Sequence, residues 1–306
     1  MKKITFLLAI FVVGIGYAQQ EPDSLPIEVP SKYPKRNYIG TYLSRMWDLD
    51  DFDQHKTFTL STFQPNYMLP FRWSSPFNRQ PTNFNPNKGT PDYKEYQDVE
   101  MMFQVSLKSK VAQDVLGEAD VWVGFTQASY WQVYNGNLSR PFREMNYEPE
   151  VMFVMPLNFS AKDFRWRMVA VSINHQSNGK EQILSRSWNR IIVTTAGEWR
   201  DFMFTFKGWW RFKEKADEDD NPQILDYMGR AEFGMIYHKG KHTFGLTHRN
   251  SLKIKDNRGF TEFNYIFPIT SGLKAILQVS HGYGDSLIEY NHKQTSIGLG
   301  VVFLDF

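Results

Sequence analysis

Three side chains in one short run have the types and spacing for acyl-transfer chemistry. Residues Asn174–Arg190 read NHQSNGKEQILSRSWNR and carry an imidazole (His175), a hydroxyl (Ser177) and a carboxamide (Asn189). A serine hydroxyl is a weak nucleophile until a neighbouring base takes its proton, and an imidazole is the common base for that task. The second ring nitrogen needs an acceptor that fixes its tautomer and orientation. A carboxylate usually fills that role, but an asparagine amide oxygen can do so without charge. The developing oxyanion then needs donors, for which the Ser177 backbone N–H and a nearby cation are candidates. A bare His-x-Ser says little by itself, since most such pairs are ordinary polar residues. What gives this one weight is the parity it shares with Asn189.

That parity follows from the strands that must hold the three groups. His175 and Ser177 are two residues apart and project from the same strand face as Val169, Val171 and Ile173. On the returning strand Asn189 shares its face with Ile191 and Val193. All three polar groups therefore fall on an apolar face, where polar groups are costly and call for a reason.

The same period of two runs through most of the chain. Val99, Met101, Phe103, Val105 and Leu107 alternate with Glu100, Met102, Gln104, Ser106 and Lys108, and comparable runs cover 227–238 and 273–282. Twelve such segments begin near Thr57, Val99, Ala119, Glu148, Phe164, Asn189, Asp201, Ile224, Lys241, Gly259, Leu273 and Thr295. Long polar connections at 75–98, 135–147, 178–188, 213–223 and 284–293 alternate with shorter ones. The pattern predicts an all-β fold, a transmembrane antiparallel up-and-down β-barrel of 12 strands, with the reactive hairpin at the long-loop rim. The aromatic share of 16 % suits a wall anchored at two membrane interfaces. A soluble β-sandwich also alternates, but the loop lengths, the aromatic-rich apolar faces and the terminal aromatic Phe306 disfavour it.

Composition narrows the chemistry further. The chain has no cysteine, which excludes a thiol nucleophile and thiolate metal sites, and a net charge of +2 gives no bulk attraction for nucleic acid. Lys2 and Lys3, the apolar run Ile4–Gly14 and the small residues at Gly16–Ala18 read as a secretory signal over 1–18. Residues 19–54, opening on the Pro-rich stretch Gln19–Lys35, read as an exposed periplasmic leader, and 55–306 as the barrel. Gln127 shares its face with Val121, Val123 and Phe125, so its amide is expected among lipid-facing residues, where a symmetric partner could satisfy it. His238 has lumen parity beside Arg230 and Glu232, and Trp166 is expected to point inward, which would narrow a lumen and disfavour a non-enzymatic pore or binding barrel.

The run NHQSNGK…SRSWNR resembles the active-site signature of the outer-membrane phospholipase A family. GFTQASYWQ (Gly124–Gln132), RPFREMNYEP (Arg140–Pro149), DDNP (Asp219–Pro222), YMG (Tyr227–Gly229) and SHGYGDSLIEYN (Ser280–Asn291) resemble further family segments, so the likeness extends from about Phe58 to the C-terminus. It implies a twelve-stranded outer-membrane barrel that hydrolyses phospholipid acyl esters at sn-1 or sn-2, lysophospholipids included. Activity would require calcium (Ca2+) and a homodimer, with Ser177 as nucleophile, His175 as base and Asn189 as its orienter. It also implies calcium ligands at the Lys180 carbonyl, the Ser185 hydroxyl and Ser139 of the partner barrel, and a role for Gln127 across the dimer interface. Two positions depart from the family. Lys180 stands where arginine is usual, which a carbonyl ligand tolerates, and Gln182 stands where an aspartate can bind calcium in the monomer. A monomeric site would then rest mainly on Asp220.

Overall fold

The computed structural model describes residues 41–50, 54–270 and 272–304. The expected signal (1–18), the Pro-rich stretch and Phe306 lie outside the described residues. Thirteen strand segments form one antiparallel sheet: β1 (Leu60–Thr62), β2 (Asn66–Ser75), β3 (Val99–Val115), β4 (Ala119–Trp131), β5 (Phe142–Ala161), β6 (Phe164–Ser177), β7 (Ser187–Trp199), β8 (Phe202–Arg211), β9 (Ala231–Lys239), β10 (His242–Asn250), β11 (Gly259–Pro268), β12 (Lys274–Tyr283) and β13 (Lys293–Leu304). From β2 onward each strand pairs with the next, and β13 returns to β2, so the sheet closes. The segment β1 pairs with β3 at Leu60↔Ser109, just beyond the Tyr67↔Gln104 pairing of β2. β1 and β2 are thus one wall strand interrupted at Phe63–Pro65, and the barrel has the expected twelve. The β2–β13 pairing joins the two ends of the wall, as a sheet in lipid demands, while β1 pairs with β3 alone among the described residues.

The wall is turned inside out relative to a soluble protein. On β3 the inward residues Glu100, Ser106, Lys108 and Lys110 are buried, while Val105 on the other face is exposed. The interior charges are paired: Arg143 bonds Glu100 at 2.6 Å and Glu289 at 3.2 Å, and Arg72 pairs with Asp285. Low-dielectric surroundings make each such pair costly to break from one side. A cavity of about 400 Å³ remains in the lumen.

Connections of two to five residues join β3–β4, β5–β6, β7–β8, β9–β10 and β11–β12 at one rim, and longer ones occupy the other. Rings stack around the short-turn rim, with Phe202–Tyr237 at 4.5 Å and Phe244–Tyr265 at 4.8 Å. Phe164 and Trp166 join this belt. Trp166 is 41 % exposed on the outer face, so its expected inward direction is corrected. A register shift between Trp166 and Met168 inserts Arg167, which turns inward to Asp50 at 2.8 Å and reverses the parity on either side.

Two further boundaries differ. The strand expected from Glu148 begins at Phe142, because Arg143, Glu144 and Asn146 are lumen-facing residues rather than loop. The segment expected to open a strand at Ile224 is instead a short helix, α2 (Ile224–Tyr227), and β9 begins at Ala231.

Residues 41–50, placed by sequence in the leader, enter the barrel. Thr41 caps helix α1 (Tyr42–Trp47) by accepting from Ser44 N, and Asp48 closes it in the left-handed region. Leu43 and Leu49 pack with Trp122, Met152, Val154, Met168, Ala196 and Met203 near the short-turn end. Leu43 N donates to Glu198 (3.0 Å), Lys110 pairs with Asp48 (2.8 Å), and Tyr42 stacks on His238 (4.1 Å). The helix packs into that end of the lumen and sets the Tyr42 ring on His238, whose ring nitrogen meets Thr243 (3.2 Å), while Arg230 and Glu232 pair elsewhere, with Asp226 and Lys207.

Candidate active site

The reactive groups sit where β6 and β7 approach the long-loop rim. Register pairs His175 directly with Asn189 and Ser177 with Ser187. His175 Nδ1 and Asn189 Oδ1 are 2.8 Å apart. An amide oxygen can only accept, so Nδ1 carries the proton and Nε2 is left free as a base. Ser177 lies on the same face, one pleat beyond His175. Below it the face continues with Val171 (48 % exposed) and Ile173 (63 %), while Ala170, Ser172 and Asn174 on the other side are buried. The three groups therefore surmount an apolar outer wall, as parity predicts. Among the described residues no hydrogen bond joins Ser177 Oγ to His175, a contact that in ligand-free enzymes commonly tightens only when substrate binds.

The lumen side of this hairpin is braced by residues that sequence reasoning passed over. Asn174 pairs with Arg190 and Gln176 with Trp188 in the same register. Arg190 donates to Asn174 Oδ1 (2.6 Å) and pairs with Glu148 (2.7 Å), while Asn174 Nδ2 donates to Glu148 (2.9 Å). Trp188 Nε1 donates to Gln176 (2.8 Å), and the Arg190 guanidinium lies 4.0 Å over the Trp188 ring. The signal for them was present in the run itself: each alternates with a reactive group and so must occupy the opposite face.

The loop 178–186 is pinned by Asn178, also passed over. Its buried amide donates to Leu184 O (2.9 Å) and Glu144 (3.3 Å), and its Oδ1 accepts from Arg186 N (2.9 Å) and Lys180 N (3.3 Å). Gly179 follows at φ +63, with the Tyr147 ring 3.2 Å from where a Cβ would stand, so the position needs glycine on both counts. After β8, the half-buried Glu214 accepts from Arg211 (3.0 Å); burial raises its carboxyl pKa and Arg211 opposes that.

The cation ligands implied by resemblance divide into two groups. Ser185 Oγ donates to Asp220, bringing two of them together. Lys180 lies on the same loop. Ser139 caps a turn at Gly136–Leu138 on the β4–β5 connection, and within the described residues no hydrogen bond joins it to Lys180 or Ser185. No group of three or more His, Asp or Glu side chains gathers for a metal among the described residues. The donor set is nonetheless all oxygen, as a hard cation prefers. An ammonium already sits on one member of the set, Asp220, since Lys88 Nζ pairs with it and donates to the neighbouring Gln182 O at 3.2 Å. Gln127, on the outer face of β4, donates to Ser129 Oγ at 3.2 Å, so part of its amide is satisfied within its own strand.

The family model for phospholipase A1 matches residues 43–303, from the plug helix through the last strand. This chain belongs to the phospholipase A1 family. The phospholipase A1 of Escherichia coli strain K12 is 32 % identical over 303 residues, covering 98 % of this chain and 97 % of that one. The solved outer-membrane phospholipase A of Escherichia coli superposes with a TM-score of 0.73 at 31 % identity, covering 81 % of this chain and 100 % of that chain. A Salmonella typhi outer-membrane phospholipase, solved as a dimer with bound calcium, gives a TM-score of 0.73 at 30 % identity over 82 % of this chain and 95 % of that chain. The chain is an ester-hydrolysing phospholipase of the bacterial outer membrane. The family match leaves the non-enzymatic pore without support, and α1 and the paired interior charges occupy part of the lumen.

Proposed function

We propose that the chain cleaves phospholipid acyl esters at sn-1 or sn-2, and lysophospholipids, through a Ser177–His175–Asn189 triad, as a calcium-dependent homodimer. The observation that carries the triad is the 2.8 Å His175–Asn189 pair on an outward face that it shares with Ser177. Ser177 Oγ attacks the ester carbonyl while its proton passes to His175 Nε2. Asn189 holds the ring so that Nε2 points at the hydroxyl, and the dipole of its amide stabilises the imidazolium cation without contributing a charge. The tetrahedral oxyanion meets the Ser177 backbone N–H. Collapse expels the glycerol oxygen, which takes the proton from His175, and leaves an acyl-serine. Water, deprotonated by the same nitrogen, then releases the fatty acid and restores the hydroxyl.

A calcium ion would be held by the Lys180 carbonyl, the Ser185 hydroxyl and Ser139 of a partner barrel, with Asp220 as the acidic ligand in the monomer. When bound it supplies positive charge beside the oxyanion. The dependence on a partner is supported by Ser139 lying on a separate connection and by Gln127 among lipid-facing neighbours. The relative from Salmonella typhi, a calcium-bound dimer, supports both features. The direct test is fatty-acid release from phospholipid in detergent micelles. Ser177→Ala removes activity to background while the variant keeps the folded β spectrum of the parent. Undiminished release by that variant would remove Ser177 from the mechanism.

A further inference from the structure

The connection 76–98 runs as a strap over the active-site loop and the 212–230 loop. It is fastened on both sides. Asn83 donates to Ile183 O (3.3 Å), Arg186 donates to Thr82 O (3.0 Å), and the buried Asn85 donates to Asp219 O (2.8 Å). The strap then turns on itself: Lys88 N donates to Asn85 O (3.1 Å) and Asn87 N to Asn85 Oδ1 (2.9 Å). A Cβ at Gly89 would stand 3.3 Å from Ile183 Cδ1, so the strap lies directly on the loop. This scaffold delivers the Lys88 ammonium to Asp220 and the Gln182 carbonyl, on the far side of the carboxylate from the Ser185 hydroxyl. Both charged side chains are more than four-fifths buried.

We propose that Lys88 is a tethered cation that holds the active-site loop in the metal-free monomer and must leave Asp220 before calcium can bind there. The inference rests on the calcium reading above and deepens it. Three features argue for it. The ammonium occupies Asp220, the one acidic donor named for the divalent cation, and one carboxylate cannot serve both at close range. Position 182 offers only a carbonyl and a neutral amide, so Asp220 is the carboxylate that the two cations contest at bonding distance, with Asp219 and Glu214 contributing charge from further off. The strap fixes Lys88 by its own backbone bonds, so the lysine is built into the cluster rather than swept across it as a solvated side chain. Lys88 is thus a positioning residue that sets the calcium threshold of the enzyme.

The test is isothermal titration of calcium into the detergent-solubilised full chain, for the wild type, Lys88→Met and Lys88→Arg, with sedimentation following the dimer. Lys88→Met is expected to bind calcium at least tenfold more tightly than the wild type, and to dimerise at correspondingly lower calcium. Lys88→Arg, which keeps the charge, stays within about threefold of the wild type. Equal affinity in the wild type and Lys88→Met, or weaker binding by Lys88→Met, overturns the role of Lys88 and leaves the calcium reading standing. Absence of calcium binding to either protein overturns the calcium reading, and this proposal with it.

Discussion

Replacing Asn189 by alanine tests how much a neutral orienter contributes. The substitution removes one acceptor, at 2.8 Å from His175 Nδ1, on two half-buried side chains. A hydrogen bond between uncharged partners is worth about 0.5–1.5 kcal/mol net. At roughly 1.4 kcal/mol per factor of ten, the loss in kcat/KM comes to about 2- to 12-fold. Backbone pairing keeps β6 and β7 in register, so His175 stays at the rim and loses only its tautomer and ring-angle control. The comparison is with triads whose orienter is a carboxylate, where the amide replacement costs about 10⁴. The assay is initial-rate fatty-acid release at saturating calcium across a range of surface substrate concentrations. The loss should fall on kcat, because Asn189 contacts the base and not the lipid. A loss comparable to that of Ser177→Ala, or no loss at all, would refute the reasoning. Asn189→Asp supplies a second reading. A carboxylate beside the ring stabilises the imidazolium, so the imidazole must be deprotonated at higher pH to act as base. The acid limb of the pH–rate profile therefore moves upward.

The remaining predictions concern the metal, the interface, the loop and the plug. Excess chelator is expected to stop fatty-acid release and return the protein to monomer in sedimentation; full activity in chelator would exclude calcium from catalysis. Gln127→Leu is expected to weaken the dimer only about threefold, since membrane hydrogen bonds average roughly 0.6 kcal/mol and this amide already has a bond to Ser129. Asn178→Ala strands the Arg186 N–H, the Leu184 carbonyl and one bond to Glu144, and is expected to cost about 1–3 kcal/mol in denaturant unfolding. Leu43→Ala opens a cavity among Trp122, Met168 and Met203, and is expected to cost about 2–5 kcal/mol while leaving kcat unchanged.

The wall and the reactive hairpin were legible because both rest on a period of two. Parity placed Ile173 outside and Asn174 inside without knowledge of the barrel, and it carried His175 and Asn189 to one face. What escaped was what breaks the period or depends on distant chain. Arg167 adds one residue to β6 and flips Trp166 outward, a shift that alternation cannot register. The charged run at 143–146 resembled loop because charge usually means solvent, whereas here it means lumen. Helix α1 has six residues, too few for a helical pattern to emerge, and it exists because the barrel surrounds it. Lys88 and Asp220 are far apart in sequence, and only the strap brings them together.

The outward direction of the proposed triad has a consequence for kinetics. Ser177 and His175 stand on the exterior wall above Ile173, with the lumen behind them, so the site they form opens onto the lipid and not onto the interior. Lipid must arrive, and lysolipid and fatty acid must depart, by lateral diffusion within the leaflet. The relevant concentration is then a mole fraction per unit area rather than moles per litre. At constant bulk lipid, adding inert detergent should slow the enzyme by diluting that surface. Accumulated product, which shares the plane, should act as an inhibitor that stirring the solution cannot remove.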